Sequence, residues 1–210
     1  KIKGDLDMWD LFIKGGPVMF LLLGCSFIGL YVTILKVMFL SQNKLPNKSI
    51  KTIKQFLLSE GKAKTIQRLH QKQNLSSTII GSSIKYSDLP LEEIEASLKS
   101  LTQKTVVKID NGLNIISSII TVTPILGILG TVLGLMDIFN VISGGGIGQP
   151  ELLSSGIAEA LITTVSGLSV AIPFIFIYQW LTRENDLFLI DINLASSEIV
   201  RFCKSEGVQP

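Results

Sequence analysis

The sequence predicts an all-α integral membrane protein with three transmembrane helices, the second and third extended into long cytoplasmic helices. Three observations carry that expectation. The composition is 47% hydrophobic and only 17% charged over 210 residues, with a mean hydropathy of +0.47, whereas soluble chains carry about a quarter charged residues. The apolar residues concentrate in three long runs: Pro17 to Leu35, Asn111 to Met136 and Ala160 to Thr182. A run of about 18 such residues is enough to cross a hydrocarbon core of roughly 30 Å as a helix. The runs also lack the strict alternation of barrel strands, and only helices or closed barrels satisfy the backbone in lipid.

Composition excludes other classes. Two cysteines rule out a disulfide framework, and a single histidine rules out a self-contained His-cluster metal site. The net charge of +2 gives no case for nucleic-acid binding. No Walker motif, catalytic cysteine context or Ser/His/Asp set is present, so no enzyme, cofactor or metal is expected.

The elements follow in order. Residues 1–16 form an external amino-terminal segment in which three lysines balance three aspartates. That balance, and the lack of a small-residue cleavage site, argue for an uncleaved first span over 17–40 rather than a signal peptide. The missing initiator Met implies a chain that starts inside its gene product or was processed. Residues 41–110 hold twelve Lys/Arg against six Asp/Glu, while the short segment 143–152 holds no basic residue. The positive-inside rule then places the amino terminus and the 143–152 loop outside, and the 41–110 domain and the tail 183–210 in the cytoplasm. Attraction to acidic lipid headgroups suits the same basic loop.

Within 41–110, residues 47–75 read as one or two amphipathic helices broken near Gly61, with His70 on the surface. Ser87 or Asp88 is positioned to cap a following helix that Pro90, Glu92 and Glu93 would open. Apolar residues recur at Ile94, Leu98, Leu101, Ile109, Leu113 and Ile116, so one helix is expected from about Pro90 to Ile142, roughly 80 Å long. The second span occupies 111–142 and the third 153–182. The third helix is expected to continue through Ile190, Leu194 and Ile199. Cys25 and Cys203 should be unpaired thiols.

Spans two and three form a hairpin whose turn, rich in glycine (Gly144, Gly145, Gly146, Gly148), centres near Gly148. Matched depths about that centre give three layers: Asp137 with Glu159, Thr131 with Thr164, and Pro124 with Pro173. The acids then lie roughly 9 Å below the outer end, the threonines near the midplane and the prolines deeper. Small residues recur at helical spacing on both helices (Thr123, Gly127, Thr131 and Gly134; Gly156, Ala160, Thr164, Gly167 and Ala171), the pattern of close helix packing. Gly130 joins them as a packing position. A threonine hydroxyl inside a span either serves a polar path or satisfies itself on its own helix. An acid inside a span costs at least about 2.5 kcal/mol unless it meets protein or water, and both Glu159 and Asp137 are shallow enough to snorkel instead. Their matched depth suggests a shared vestibule open to water.

The stretch TPILGILGTVLGLMDIF, followed after a short loop by SGIAEALITTVSGLSVAIPFIFIYQ, resembles the signature region of the MotA/TolQ/ExbB proton-channel family. The opening LFIKGGPVMFLLL agrees more loosely. Three spans resemble the ExbB and TolQ branch, since MotA-type stators have four. The resemblance implies a ring, usually a pentamer, around two helices of an ExbD/TolR-like subunit. Each of those helices carries an aspartate that takes up and releases a proton. It implies inner-membrane location, and work done on a TonB/TolA-like protein to energise outer-membrane transport; the alternatives are a TolQ-type role in envelope integrity and a non-conducting membrane scaffold. By motif it maps ion-path roles onto Thr131, Thr164 with its neighbour Thr163, and Glu159, and the family prolines onto Pro124 and Pro173. Asp137 departs from the pattern, where that position is polar but not usually acidic. This chain has no midplane carboxylate of its own, so a complementary subunit that supplies one fits the gap.

Overall fold

A computed structural model describes residues 12–13, 15–43, 47–71, 74–143 and 150–205. The described residues form six α-helices: α1 (Val18–Asn43), α2 (Asn47–Gln71), α3 (Leu75–Tyr86), α4 (Leu91–Asp110), α5 (Leu113–Ser143) and α6 (Pro150–Ser205). Most of the amino-terminal segment and the glycine turn at 144–149 lie outside the described residues. Three helices are long and apolar enough to cross a membrane: Val18–Asn43, Leu113–Ser143 and Ser154–Ser205. No more than 28% of the most apolar stretch of each is buried, so their apolar faces turn outward to lipid or to other chains.

The chain divides into two compact units. The first, residues 1–34 and 112–180, contains residues 18–34 of α1, all of α5 and α6 as far as Trp180. Within it α5 and α6 close on one another through small residues, while Gly29 of α1 meets the buried Ile119 and Phe174. Pro124 lies inside α5 and Pro173 inside α6; each removes one backbone donor without ending its helix, as spans tolerate.

The second unit, residues 35–111 and 181–210, packs more conventionally. Ile53 and Leu57 of α2, Ile79, Ile80 and Ile84 of α3, and Ile192, Ala195, Ile199 and Cys203 of α6 form one buried cluster. The break expected near Gly61 is present, because that glycine adopts φ 77° and ψ 177° inside α2. The amino-terminal end of α3 is satisfied by Asn43, the last residue of α1. Asn43 Oδ1 accepts from the Leu75 N–H at 2.7 Å, and its carbonyl accepts from the Ser76 hydroxyl. His70 is exposed, and Cys25 and Cys203 are free thiols.

Two expectations are corrected. The continuous helix from Pro90 to Ile142 does not form: α4 ends at Asp110 and α5 starts at Leu113. Between them Gly112 takes φ 96°, a left-handed conformation open to glycine at little cost. The carbonyl of Asn111 accepts from the Lys36 ammonium at 3.1 Å. Lys36 is only 5% exposed, and a cation suits the negative end of a helix. Span two therefore carries no helical extension of its own, whereas α6 runs unbroken for 56 residues, as expected for the third span. The capping expectation also fails. The Ser87 hydroxyl donates to Ile84 O at the end of α3, Asp88 accepts from Lys62, and α4 opens behind Pro90 with no side-chain cap.

Candidate ion pathway and helix seam

The contact between α5 and α6 is built almost without side chains. On α5 the buried positions are Thr123, Gly127, Gly130 and Gly134; on α6 they are Gly156, Ala160, Thr163, Gly167 and Ala171. A Cβ at Gly134 would stand 2.8 Å from the carbonyl oxygen of Gly156, and one at Gly167 would stand 2.6 Å from that of Thr123. Backbone faces backbone at both places, so neither neighbour has a flexible end that could yield. Gly127 faces the backbone of Thr163 and Thr164, and Gly130 leaves the room that the Thr163 side chain fills. The order is antiparallel, as expected of the hairpin.

The seam also sorts the threonines. Thr163 is 0% exposed, and its hydroxyl donates to Ala160 O at 2.9 Å, with Gly127 O at 3.4 Å. It is a packing residue of the seam within one chain. The Thr164 hydroxyl, partly exposed at the seam's edge, donates across to Gly127 O at 3.2 Å. Thr131 is also partly exposed and donates to Ile128 O of its own helix at 2.5 Å. The small-residue stripe thus follows the expected positions except at two: Gly130 and Thr163 are buried in it, and Thr131 and Thr164 stand at its margin. A hydroxyl that spends its proton on a backbone carbonyl keeps its oxygen lone pairs free. Thr131 and Thr164 are therefore poised as acceptors, able to receive a hydrogen bond from water or from a protonated carboxyl group.

The acids lie elsewhere on the hairpin. Glu159 is partly exposed, and its carboxylate rests against Gly16, just before α1. Asp137 is exposed on α5. At 3.6 residues per turn, Thr164 stands about 140° round α6 from Glu159. Pro124 is half-buried, while Pro173 lies on the exposed side of α6, beside the buried Ala171 and Phe174. The structure thus brings Thr164 and Thr163 together at Gly127, and sets Glu159 apart from them against α1.

Residues 63–193 match the MotA/TolQ/ExbB proton channel family. The chain belongs to that family. It is 28% identical over 180 residues to a biopolymer transport protein ExbB homolog of Methanothermobacter thermautotrophicus, covering 84% of this chain and 63% of that protein. It is 33% identical over 168 residues to an ExbB-like biopolymer transport protein of Synechocystis, covering 76% and 78%. A Tol-Pal system protein TolQ of Haemophilus influenzae is 31% identical over 98 residues, covering 45% and 43%. The chain is thus a membrane protein of the ExbB/TolQ branch, from a family of channel components rather than of enzymes.

Sequence reasoning missed two structural residues. Lys36, a charge in the first apolar stretch with no role in the sequence reading, closes the break at Asn111. Gly16 read only as part of a loose amino-terminal similarity, although two glycines before a proline signal a tight backbone approach.

Proposed function

We propose that this chain is the channel-forming subunit of an ExbB–ExbD or TolQ–TolR type motor in the inner membrane. It assembles as a ring, a pentamer, around two helices of an ExbD/TolR-like subunit. Proton flow through the assembly does work on a TonB/TolA-like protein and energises transport across the outer membrane. The amino terminus faces outward, and the 41–110 domain and the tail face the cytoplasm.

The observation that carries this reading is the state of the two marginal threonines. Thr131 and Thr164 both donate to backbone carbonyls and so offer lone pairs, not protons, to whatever occupies their side of the hairpin. Inside a membrane, a neutral carboxylic acid is far cheaper to hold than a carboxylate, and it carries a proton to donate. A partner's acid in its protonated state is the complement of such acceptors. The pathway proposed runs along Thr131 and Thr164, with Thr163 holding the seam behind them; Asp137 and Glu159 lie nearer the outer end, outside the threonine line.

Thr131→Val and Thr164→Val keep shape and remove the acceptor. Each is expected to cut proton flux into vesicles holding the chain with its ExbD/TolR-like partner at least tenfold, while the ring still assembles. Full flux in both variants overturns the relay role. The TolQ relative favours a second reading, in which the same channel serves envelope integrity. Deleting the gene and scoring detergent sensitivity against outer-membrane uptake separates the two.

A further inference from the structure

The turn that leads into α1 is ordered by its own contacts. The Gly16 N–H donates to Ile13 O at 3.3 Å, and Met19 N–H and Phe20 N–H donate back to Gly16 O and Pro17 O at 3.2 and 3.3 Å. The rings of Phe12 and Phe20 meet edge to face with centroids 5.1 Å apart, stapling the turn to the helix it starts. Gly16 has φ 65°, which only glycine takes without strain.

Against this turn lies the acid of the third span. A Cβ at Gly16 would overlap Glu159 Oε1 and stand 3.2 Å from Glu159 Cδ. Gly15 makes a different approach: a Cβ there would meet Met19 Cγ at 2.5 Å and Ile162 Cγ2 at 3.3 Å. Glu159 and Ile162, three residues apart on one side of α6, thus meet two successive glycines of one turn. The first turn of a helix also favours negative charge nearby. Glu159 therefore has a seat within its own chain, on the side of α6 that faces α1.

We propose that Gly16 is the seat of the Glu159 carboxylate, and that Glu159 is a positioning residue that fixes the outer end of α1 to the third span. It works from the side of the hairpin away from Thr164. The missing side chain at Gly16 and the length of Glu159 are matched, so shortening one compensates for lengthening the other. This deepens the channel reading by giving its shallow acid a role that needs no place in the threonine path.

The test is suppression in the full chain, purified as its oligomer. Gly16→Ala is expected to lower the melting temperature by at least about 5 °C, and Glu159→Asp in that background to restore a measurable part of the loss, the part set by φ 65° remaining. Glu159→Asp should not restore Gly15→Ala, whose clash is with Met19 and Ile162. If Gly16→Ala prevents expression, Gly16→Ala with Glu159→Ala is expected to express. A Gly16→Ala oligomer as stable as the parent, equal rescue of both glycine variants, or a double variant no better than the single each overturns the seat. Melting needs no proton flow, so a chain that fails to conduct in vesicles sinks the channel reading and leaves this result standing. In a conducting assembly, flux is expected to follow the same order of variants.

Discussion

The α5–α6 seam of one unit and the buried cluster of the other hold helices together by opposite means. In the unit of residues 35–111 and 181–210, large side chains are buried against one another: Leu57, Ile80, Ile84, Ile192 and Ile199 are each at most 2% exposed. In the other unit the α5–α6 seam is lined by Gly127, Gly130, Gly134, Gly156 and Gly167, and the large residues Ile125, Ile128, Leu161 and Val165 are left outside at 57–62% exposure. The difference follows from the solvent. Removing leucine from water drives the first kind of packing. Lipid is as apolar as leucine, so helices there gain only by close backbone approach and by hydrogen bonds between helices. Hydropathy alone therefore gives opposite answers about what is inside at the seam and in the cluster.

The sharpest way to break this comparison is at the seam. Gly134→Val would drive a branched side chain into the Gly156 carbonyl and the Ala160 backbone. Overpacking of this kind costs about 1–3 kcal/mol where neighbours can shift, and two facing backbones cannot. The expected outcome is loss of the assembled oligomer on size-exclusion chromatography. Gly24→Val is the control, since a Cβ there meets nothing within 4 Å, and it should assemble normally.

The opposite change tests the other unit. Ile80 is fully buried in its cluster, and Ile80→Ala should cost about 2–5 kcal/mol through lost burial and the cavity left behind. Thermal unfolding of the purified chain should show it. Removing an equally large residue from the outside of the seam unit, Leu161→Ala at 62% exposure, should cost far less within a single chain. A large loss there would mean that Leu161 is a contact between copies.

What the sequence could reveal follows the same division. The three spans were legible because hydropathy and length are local properties. The long third helix was legible because its apolar period continues past the span with no breaker. The break at Asn111–Gly112 was obscured because Leu113 and Ile116 carry on the spacing of Ile109; the period survives a single left-handed residue. Thr131 and Thr164 were placed in the stripe for a similar reason. Positions three and four apart both fall on one helical face, so Thr131 or Gly130, and Thr164 or Thr163, fit the stripe equally well. Only the opposing backbone decides between them. The cost of an acid in a span raised the question of what Glu159 meets, but nothing local pointed to a glycine more than 140 positions earlier in the chain.

The smallest expected effect lies on the surface of the unit with the large-residue core, where charge rather than burial is at issue. Lys54 Nζ pairs with Glu198 Oε1 at 2.6 Å and also stands 5.2 Å from the centre of the Phe202 ring. The two side chains are 27% and 53% exposed, so water and salt screen the pair, and its removal should cost about 0.2–1 kcal/mol. Glu198→Gln tests the pair alone and leaves the ring contact in place. Lys54→Met removes both while its stem still covers Phe202, and a cation over an exposed ring adds about 0.5–1 kcal/mol. The expected order of melting temperatures is parent, then Glu198→Gln, then Lys54→Met. At 1 M salt, where the screening length falls to about 3 Å, the first gap should nearly close while the second persists. A Glu198→Gln loss as large as that of Ile80→Ala, unchanged by salt, would mean that this unit is held by charge as much as by its buried cluster.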